Sequence, residues 1–410
     1  MDVIVLDGNE NQAVACVRSL ASQWHRVHVG ASTSWSKAGW SRDATSTFEY
    51  PASQDDVNAF IACVVERARQ IPGVLVLPLT ARTTLPVSEH RDQFGSVGAK
   101  LVLPAHDRVL QAFDKERTTQ LASSLGIPVP KTAVLRTVSE IDEGAKYVGF
   151  PAVLKPRSSE EVTPVGRVVA TGAPIYARNI EEFRTAYATL RHRSQVVLAQ
   201  EYIQGRGEGF FALMRKGEIR IEFSHRRIRD VRPTGSGSAV RVSTVPDSAL
   251  REAALKVLRA LEWHGVAMVE FIRKPDGTLV FLEVNGRFWN SLSLAVYAGA
   301  DFPSRLAELA EKGDVVTDTR YRSGVRCRWL LGDLRHLGEV WKGAPPSFPG
   351  AYPGRFKALF DFMVPVAGTY HDNFTLRDPW PEVGDWLDFI FRRLPGSMKG
   401  RSGGKKDHYA

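Results

Sequence analysis

The chain has 410 residues, 43% of them hydrophobic and 24% charged, a composition that suits a globular protein with a sizeable core and two to four domains. Its net charge of +9 invites a nucleic-acid partner, but residues 392–410, RRLPGSMKGRSGGKKDHYA, supply six Lys or Arg against one Asp, and no basic stripe with interleaved aromatics stands elsewhere, so that class is not favoured. Cys16, Cys63 and Cys327 are too scattered to indicate a disulfide framework or a zinc knuckle and fit a reducing cytoplasm, while the acidic start MDVIVLDGNE and the absence of a long apolar run argue against export and a membrane partner.

In chain order, VIVLDGNENQAVACVRSLASQWHRVHVGAS reads as strand, polar turn, helix and strand, the rhythm of a βαβ unit. Strands at VLVLPL (74–79) and KLVLP (100–104) complete an open α/β domain over residues 1–105, Rossmann-like in outline, although its DGNEN turn lacks GxGxxG. A helix begins near Asp107 and is stopped by SLGIPVPKT. GFPAVLKPRSS then gives a buried strand ending in lysine, and VVLAQEYIQGRGEGFFALMRKGEIR a strand, a glycine-rich connection and a hairpin. SALREAALKVLRALEW carries Leu250, Ala254, Val257, Leu258 and Leu261 on one face of a helix. From about residue 315 the Trp- and Pro-rich sequence reads as helical with long loops, and residues 395–410 as a disordered basic tail.

GVAMVEFIRKPDGTLVFLEVNGRFWN contains the strongest chemical signal. A hairpin turn centred between Asp276 and Gly277 pairs Glu270 with Glu283 and Ile272 with Phe281. Opposed side chains lie within about 5.5 Å on one face, so two like charges there repel and call for a cation. The same face would carry Met268, Ile272 and Phe281, the other Val269, Phe271, Val280, Leu282 and Val284, leaving little room for a solvated surface. Asn285 points the same way and adds a neutral oxygen. Two carboxylates and an amide suit Mg²⁺ completed by water and phosphate oxygens, with a solvated or salt-bridged hairpin as the alternative.

These segments, DKERTTQLASSLGIPVPKT, FPAVLKPRSS, VLAQEYIQGRGEGFFAL, GVAMVEFI and FLEVNGRFWN, in that order, resemble the ATP-grasp superfamily over about residues 1–310, and particularly its stand-alone carboxylate-amine ligases and carboligases. The resemblance implies a Rossmann-like domain over 1–105, two α+β subdomains clasping ATP at 106–185 and 186–312, and a mostly helical C-terminal extension at 313–394. It assigns Lys115 and Lys155 to the nucleotide phosphates, Glu201, Tyr202 and Ile203 to the adenine edge and Glu208 to the ribose. Glu270, Glu283 and Asn285 become ligands of Mg²⁺, with Mn²⁺ as an alternative, and Arg287 a cation for phosphoryl or acyl-phosphate oxygens. Within HRRIRDVRPTGSGSAVRVST, Arg241 follows the small-residue loop and is expected to clamp the carboxylate substrate. The sequence departs from the family after Lys155, where RSSEEVTPVGRVVA has one glycine in place of a glycine-rich flap.

The activity implied is ATP-dependent joining of a small-molecule carboxylate to an amine through an acylphosphate, in a cytoplasmic enzyme for which a homodimer is compatible. A nucleotide-binding module without turnover and a nucleic-acid-binding protein are the rival readings. The absence of GxSxG and HExxH sequences leaves serine-nucleophile and zinc hydrolysis without support.

Overall fold

Val3, Ile4 and Val5 are wholly shielded from solvent because their strand lies inside a parallel sheet covered by helices on its faces. The computed structural model describes residues 1–163, 165–364 and 366–391, so the tail expected at 395–410 lies outside the described residues. The first sheet holds β1 (Asp2–Val5), β2 (Arg26–Ala31), β3 (Ser46–Glu49) and β4 (Leu75–Leu77) in the order β3-β2-β1-β4, all parallel. KLVLP contributes only an isolated bridge, Leu75 to Lys100, where a full strand was expected. The helices Asn11–Ser22 and Val57–Arg69 pack beside this sheet, the second capped by Asp56, which accepts from the Ala59 amide.

Next come β5 (Thr132–Leu135), β6 (Ala152–Pro156), the hairpin β7 (Glu160–Val162) and β8 (Val168–Ala170), β9 (Ile175–Ala177) and β10 (Val197–Glu201). Strands β5-β10-β6-β9 form an antiparallel sheet against the helices Ile141–Val148 and Ile180–Arg191, whose Ile141, Ala145, Phe183 and Leu190 share its core. The third sheet comprises β11 (Arg206–Arg215), β12 (Glu218–Arg232), β13 (Ser236–Thr244), β14 (Gly265–Arg273), β15 (Leu279–Asn285), β16 (Arg326–Arg328) and β17 (Thr369–His371). Their order is β15-β14-β11-β12-β13-β16-β17. One face of this sheet packs on the amphipathic helix Ser248–Ala260. The other contributes Phe211, Phe223 and Met268 to a core shared with Val3, Val5 and Leu75, so the first and third sheets are joined by apolar packing.

Residues after 313 are not only helical: β16 and β17 finish the large sheet, with the helices Leu330–Lys342 and Arg355–Met363 between them in the chain and Trp380–Phe391 after them. Buried polar contacts strap this segment to the first sheet's domain. Arg18 pairs with Asp378 at 3.0 Å, Ser41 donates to the same carboxylate at 2.7 Å, and Lys37 meets Asp385 at 2.9 Å. Such pairs depend on distant stretches meeting, which local periodicity cannot reveal.

Candidate active site

Glu270 and Glu283 do stand opposite each other across β14 and β15, but the route to that register differs from the simple turn. The connection is one residue longer than expected: the Lys274 amide donates to the Thr278 carbonyl at 2.9 Å, and Gly277 closes the loop at φ +88°. This pairs Ile272 with Val280 and Phe271 with Phe281, until a bulge that leaves Leu282 without an opposite residue restores the pairing of Glu270 with Glu283 and Met268 with Asn285. Phe281 therefore leaves the acidic face and meets Phe271 on the helix-covered side, ring centroids 5.9 Å apart. The correction has a physical consequence: the acids keep their opposition while a large apolar side chain is removed from between them and solvent.

The strand beside Glu270 supplies space. Gly209 pairs with Glu270 on one side and His225 on the other, and Gly207 with Ile272 and, by continuation of the register, Arg227. Glycines two residues apart bare one face of β11. Arg227 occupies the gap: a Cβ at position 207 would stand 2.2 Å from its Nη2. Its guanidinium reaches Asp230 at 3.5 Å and Glu270 at 3.9 Å. Beyond Gly209, His225 is buried and its Nε2 contacts Ser291 Oγ at 2.7 Å. Burial, then Arg241 and Arg227, hold its pKa well below the ordinary histidine value, so it is neutral.

Cations from two other segments, and one just beyond its own strand, converge on Glu283. Lys115 opens the helix Lys115–Ser124, behind the cap Asp114; its Nζ donates to Ser159 Oγ at 2.8 Å and lies 3.6 Å from Glu283. Lys155, on β6, is buried, which lowers its pKa to about 8 in spite of Glu283 nearby. Asn285 Nδ2 donates to Glu283 at 3.0 Å, and Arg287 donates to Asn285 Oδ1 at 3.1 Å. The structure thus brings together Lys115, Lys155, Glu270, Glu283, Asn285 and Arg287, with Arg227 added.

The two carboxylates are electrostatically unequal. Burial raises the pKa of Glu270, and repulsion from Glu283 adds to it against the pull of Arg227. Glu283 is lowered: burial works against it, but Lys115, Lys155, the Asn285 amide and Arg287 prevail. Splitting of this kind follows when two acids share one site. Their side chains stay 19% and 27% exposed, and the neighbouring cations approach only to 3.6–3.9 Å, leaving oxygen lone pairs available. Among the described residues no group of three His, Cys, Asp or Glu could hold a metal. Two carboxylates and one amide fit a hard divalent ion that draws its other ligands from water and phosphate.

Glu201, Tyr202 and Ile203 lie at the end of β10. Glu201 donates its amide to the Lys131 carbonyl and accepts the Lys131 amide on Oε1, both at 3.0 Å, while the Tyr202 amide bonds the Pro151 carbonyl. The Tyr202 ring joins Tyr176 and Phe348 in an edge-on aromatic cluster, and Ile203 is buried. The side chains of Glu201 and Tyr202 therefore rigidify the segment.

Two expected residues are not brought to the cluster. Arg241 is wholly buried and ion-paired to Asp372, with Cys327 beside it, so it cannot clamp a substrate; the C-terminal segment covers the position. Glu208 sits opposite Phe271, hence on the face away from Glu270, and its carboxylate is taken by Arg206 at 2.6 Å and Arg273 at 2.8 Å, leaving no free edge for a ribose. Arg227 was the missed residue, and the signal was G-x-G within a strand, which marks a cleared face, opposite an arginine-rich strand. The glycine-poor loop after Lys155 is the β7–β8 hairpin, and it docks on the first domain. Val168 enters that domain's core, its amide donates to the Ser53 carbonyl at 3.0 Å, the Val57 amide donates to the Gly166 carbonyl at 2.9 Å, and Arg82 binds Glu160 at 2.6 Å.

No family model matches the chain. Relatives and solved structures do. The chain is 26% identical over 263 residues to the carbamoyl phosphate synthase large chain of Methanospirillum hungatei, covering 62% of this chain and 23% of that one. It is 32% identical over 184 residues to the D-alanine–D-alanine ligase of Stutzerimonas stutzeri, covering 42% and 55% respectively. In fold it is similar to the biotin carboxylase domain of Hydrogenobacter thermophilus 2-oxoglutarate carboxylase, solved as a dimer with MgADP and bicarbonate, with a TM-score of 0.62 at 15% identity over 79% of this chain and 73% of that one. The chain spans less than a quarter of the length of the synthase it matches. In sequence and in fold the chain is thus similar to ATP-grasp ligases. No helix among the described residues is long and apolar enough to cross a membrane.

Proposed function

We propose that the protein is an ATP-dependent ligase that activates a small-molecule carboxylate as an acylphosphate and joins it to an amine. The carrying observation is the opposed pair Glu270 and Glu283 ringed by Lys115, Lys155, Arg227 and Arg287. Phosphoryl transfer needs positioning and neutralisation of charge more than a protein nucleophile, and this constellation supplies both.

Glu270, Glu283 and the Asn285 amide would hold Mg²⁺, which when bound supplies charge neutralisation at the β- and γ-phosphates. Lys115 and Lys155 bind phosphate oxygens, and the burial that strips Lys155 of water strengthens its attraction to them. Glu201, Tyr202 and Ile203 contact the edge of the adenine base. A carboxylate oxygen attacks the γ-phosphorus as the bond to the bridging β-γ oxygen breaks, releasing ADP. The amine nitrogen then attacks the acyl carbon, inorganic phosphate departs, and the surplus amine proton passes to solvent. Arg227 and Arg287 orient the carboxylate and its acylphosphate through bidentate contacts, Arg227 taking the role first expected of Arg241.

ADP and phosphate release should be measured across a panel of carboxylates paired with amines, with mass spectrometry of the products. Release that requires both an acid and an amine, with the amide detected, is the expected result. Tight MgATP binding without turnover against any pair would leave a nucleotide-binding module and sink the ligase reading.

A further inference from the structure

Glu160 places a carboxylate close to where phosphates are to be bound. It opens β7 directly after Ser159, whose hydroxyl accepts from Lys115 Nζ at 2.8 Å. The side chain is only 13% exposed, and Oε2 is shielded with no hydrogen-bond partner among the described residues. Burial raises its pKa against the pull of Arg82 and Arg287, and Glu10 adds repulsion. Left without a cation, such a carboxylate would repel the phosphates of ATP and draw Arg287 away from them.

The neutralising group comes from the first domain. Arg82 Nε meets Glu160 Oε1 at 2.6 Å. Arg82 belongs to the helix Ala81–Glu89, whose first turn is tied to the end of β1: Asp7 Oδ2 accepts the Leu79 and Thr80 amides at 3.0 and 2.9 Å and the Thr83 hydroxyl at 2.6 Å. The hairpin is fixed from its other end by the backbone contacts of Gly166 and Val168 with Val57 and Ser53, and by Arg167 Nε, which donates to the Asp55 carbonyl at 3.2 Å. Both partners of the pair are therefore set by anchored backbone, unlike two long side chains meeting at a free surface.

We propose that Arg82 is a positioning residue for ATP: by neutralising Glu160 it leaves Lys115 and Arg287 free to bind phosphate oxygens. The inference rests on the phosphate role given to Lys115. The test is calorimetric titration of MgATP into the full chain, comparing wild type with Arg82→Ala, Glu160→Gln, the double variant and Lys115→Ala, with the thermal midpoint of each read alongside. Arg82→Ala should weaken binding on the order of tenfold. Glu160→Gln should bind at least as tightly as wild type, and the double variant should recover the affinity of Glu160→Gln, because without the carboxylate nothing needs neutralising. A strut that merely held the hairpin would not be rescued in this way. Arg82→Gln, which keeps part of the stem and can still donate to Glu160, repeats the test with a smaller expected loss if the alanine variant does not fold. Undiminished affinity in Arg82→Ala, or a double variant as weak as Arg82→Ala, overturns the proposal. Undiminished affinity in Lys115→Ala overturns the phosphate reading on which it stands, whereas loss there with none in Arg82→Ala overturns this proposal alone.

Discussion

Changing Glu270 and Glu283 separately to glutamine should produce the same functional loss and opposite effects on stability. At an opposed spacing of ~5.5 Å and an effective dielectric constant of ~20, two carboxylates repel by roughly 3 kcal/mol. Glu270 feels that repulsion with one near cation, Arg227 at 3.9 Å, and its pKa is raised. Glu283 is compensated by Lys115, Lys155, Asn285 and Arg287, and its pKa is lowered. Glu270→Gln therefore relieves strain and should stabilise the free protein by about 1 kcal/mol, whereas Glu283→Gln leaves two lysines under-compensated and should cost about the same. Both remove a proposed metal ligand and should weaken magnesium-dependent ATP binding on the order of a hundredfold. Thermal denaturation without metal reads the first effect, and calorimetric titration of ATP at fixed Mg²⁺ the second. Equal destabilisation by both variants would refute the electrostatic asymmetry, and undiminished magnesium dependence in either would remove that residue from the metal site.

Gly207→Ala drives a methyl group into Arg227; the mobile guanidinium yields, so the fold should survive while turnover falls about a hundredfold from misplacement near 1 Å, with ATP affinity little changed by titration. Lys155 has a folded pKa of about 8, so in the free protein it loses its charge as pH rises through 8, and ATP, which favours the charged form, should bind more weakly at pH 9 than at pH 7; Lys155→Arg should flatten that profile in parallel titrations. Arg241→Ala leaves Asp372 buried without its cation and should cost about 3–5 kcal/mol in urea denaturation, while the protein that remains folded binds ATP as before. Glu382 is pushed up to about 7 by burial; its proton is bound more tightly folded than unfolded, so stability drops as pH rises from the ordinary carboxylate range to 7, and Glu382→Gln should raise the thermal midpoint at pH 8 but not at pH 4.

Local sequence was enough for the strand Asp2–Val5 and the helix Ser248–Ala260 with its apolar stripe, because each rests on periodicity, whereas the meeting of Glu270 with Glu283 was expected from a turn one residue too short and is reached only because the bulge at Leu282 offsets the difference. Asn285 came from the two-residue alternation that follows Glu283, whereas Lys115, Lys155 and Arg287 were marked only by the family resemblance, and the fold brings them to the two acids. What tertiary structure alone decided was the choice among arginines and the fate of Glu208. Arg227 and Arg241 sit on one face of neighbouring strands, and their difference lies in what covers them, open space above Gly207 in one case and Asp372, 131 residues further along, in the other. A charge is fitted for a substrate or consumed inside a core according to partners brought in from remote segments, since burial and ion pairing are properties of the packed chain and leave no trace in local spacing.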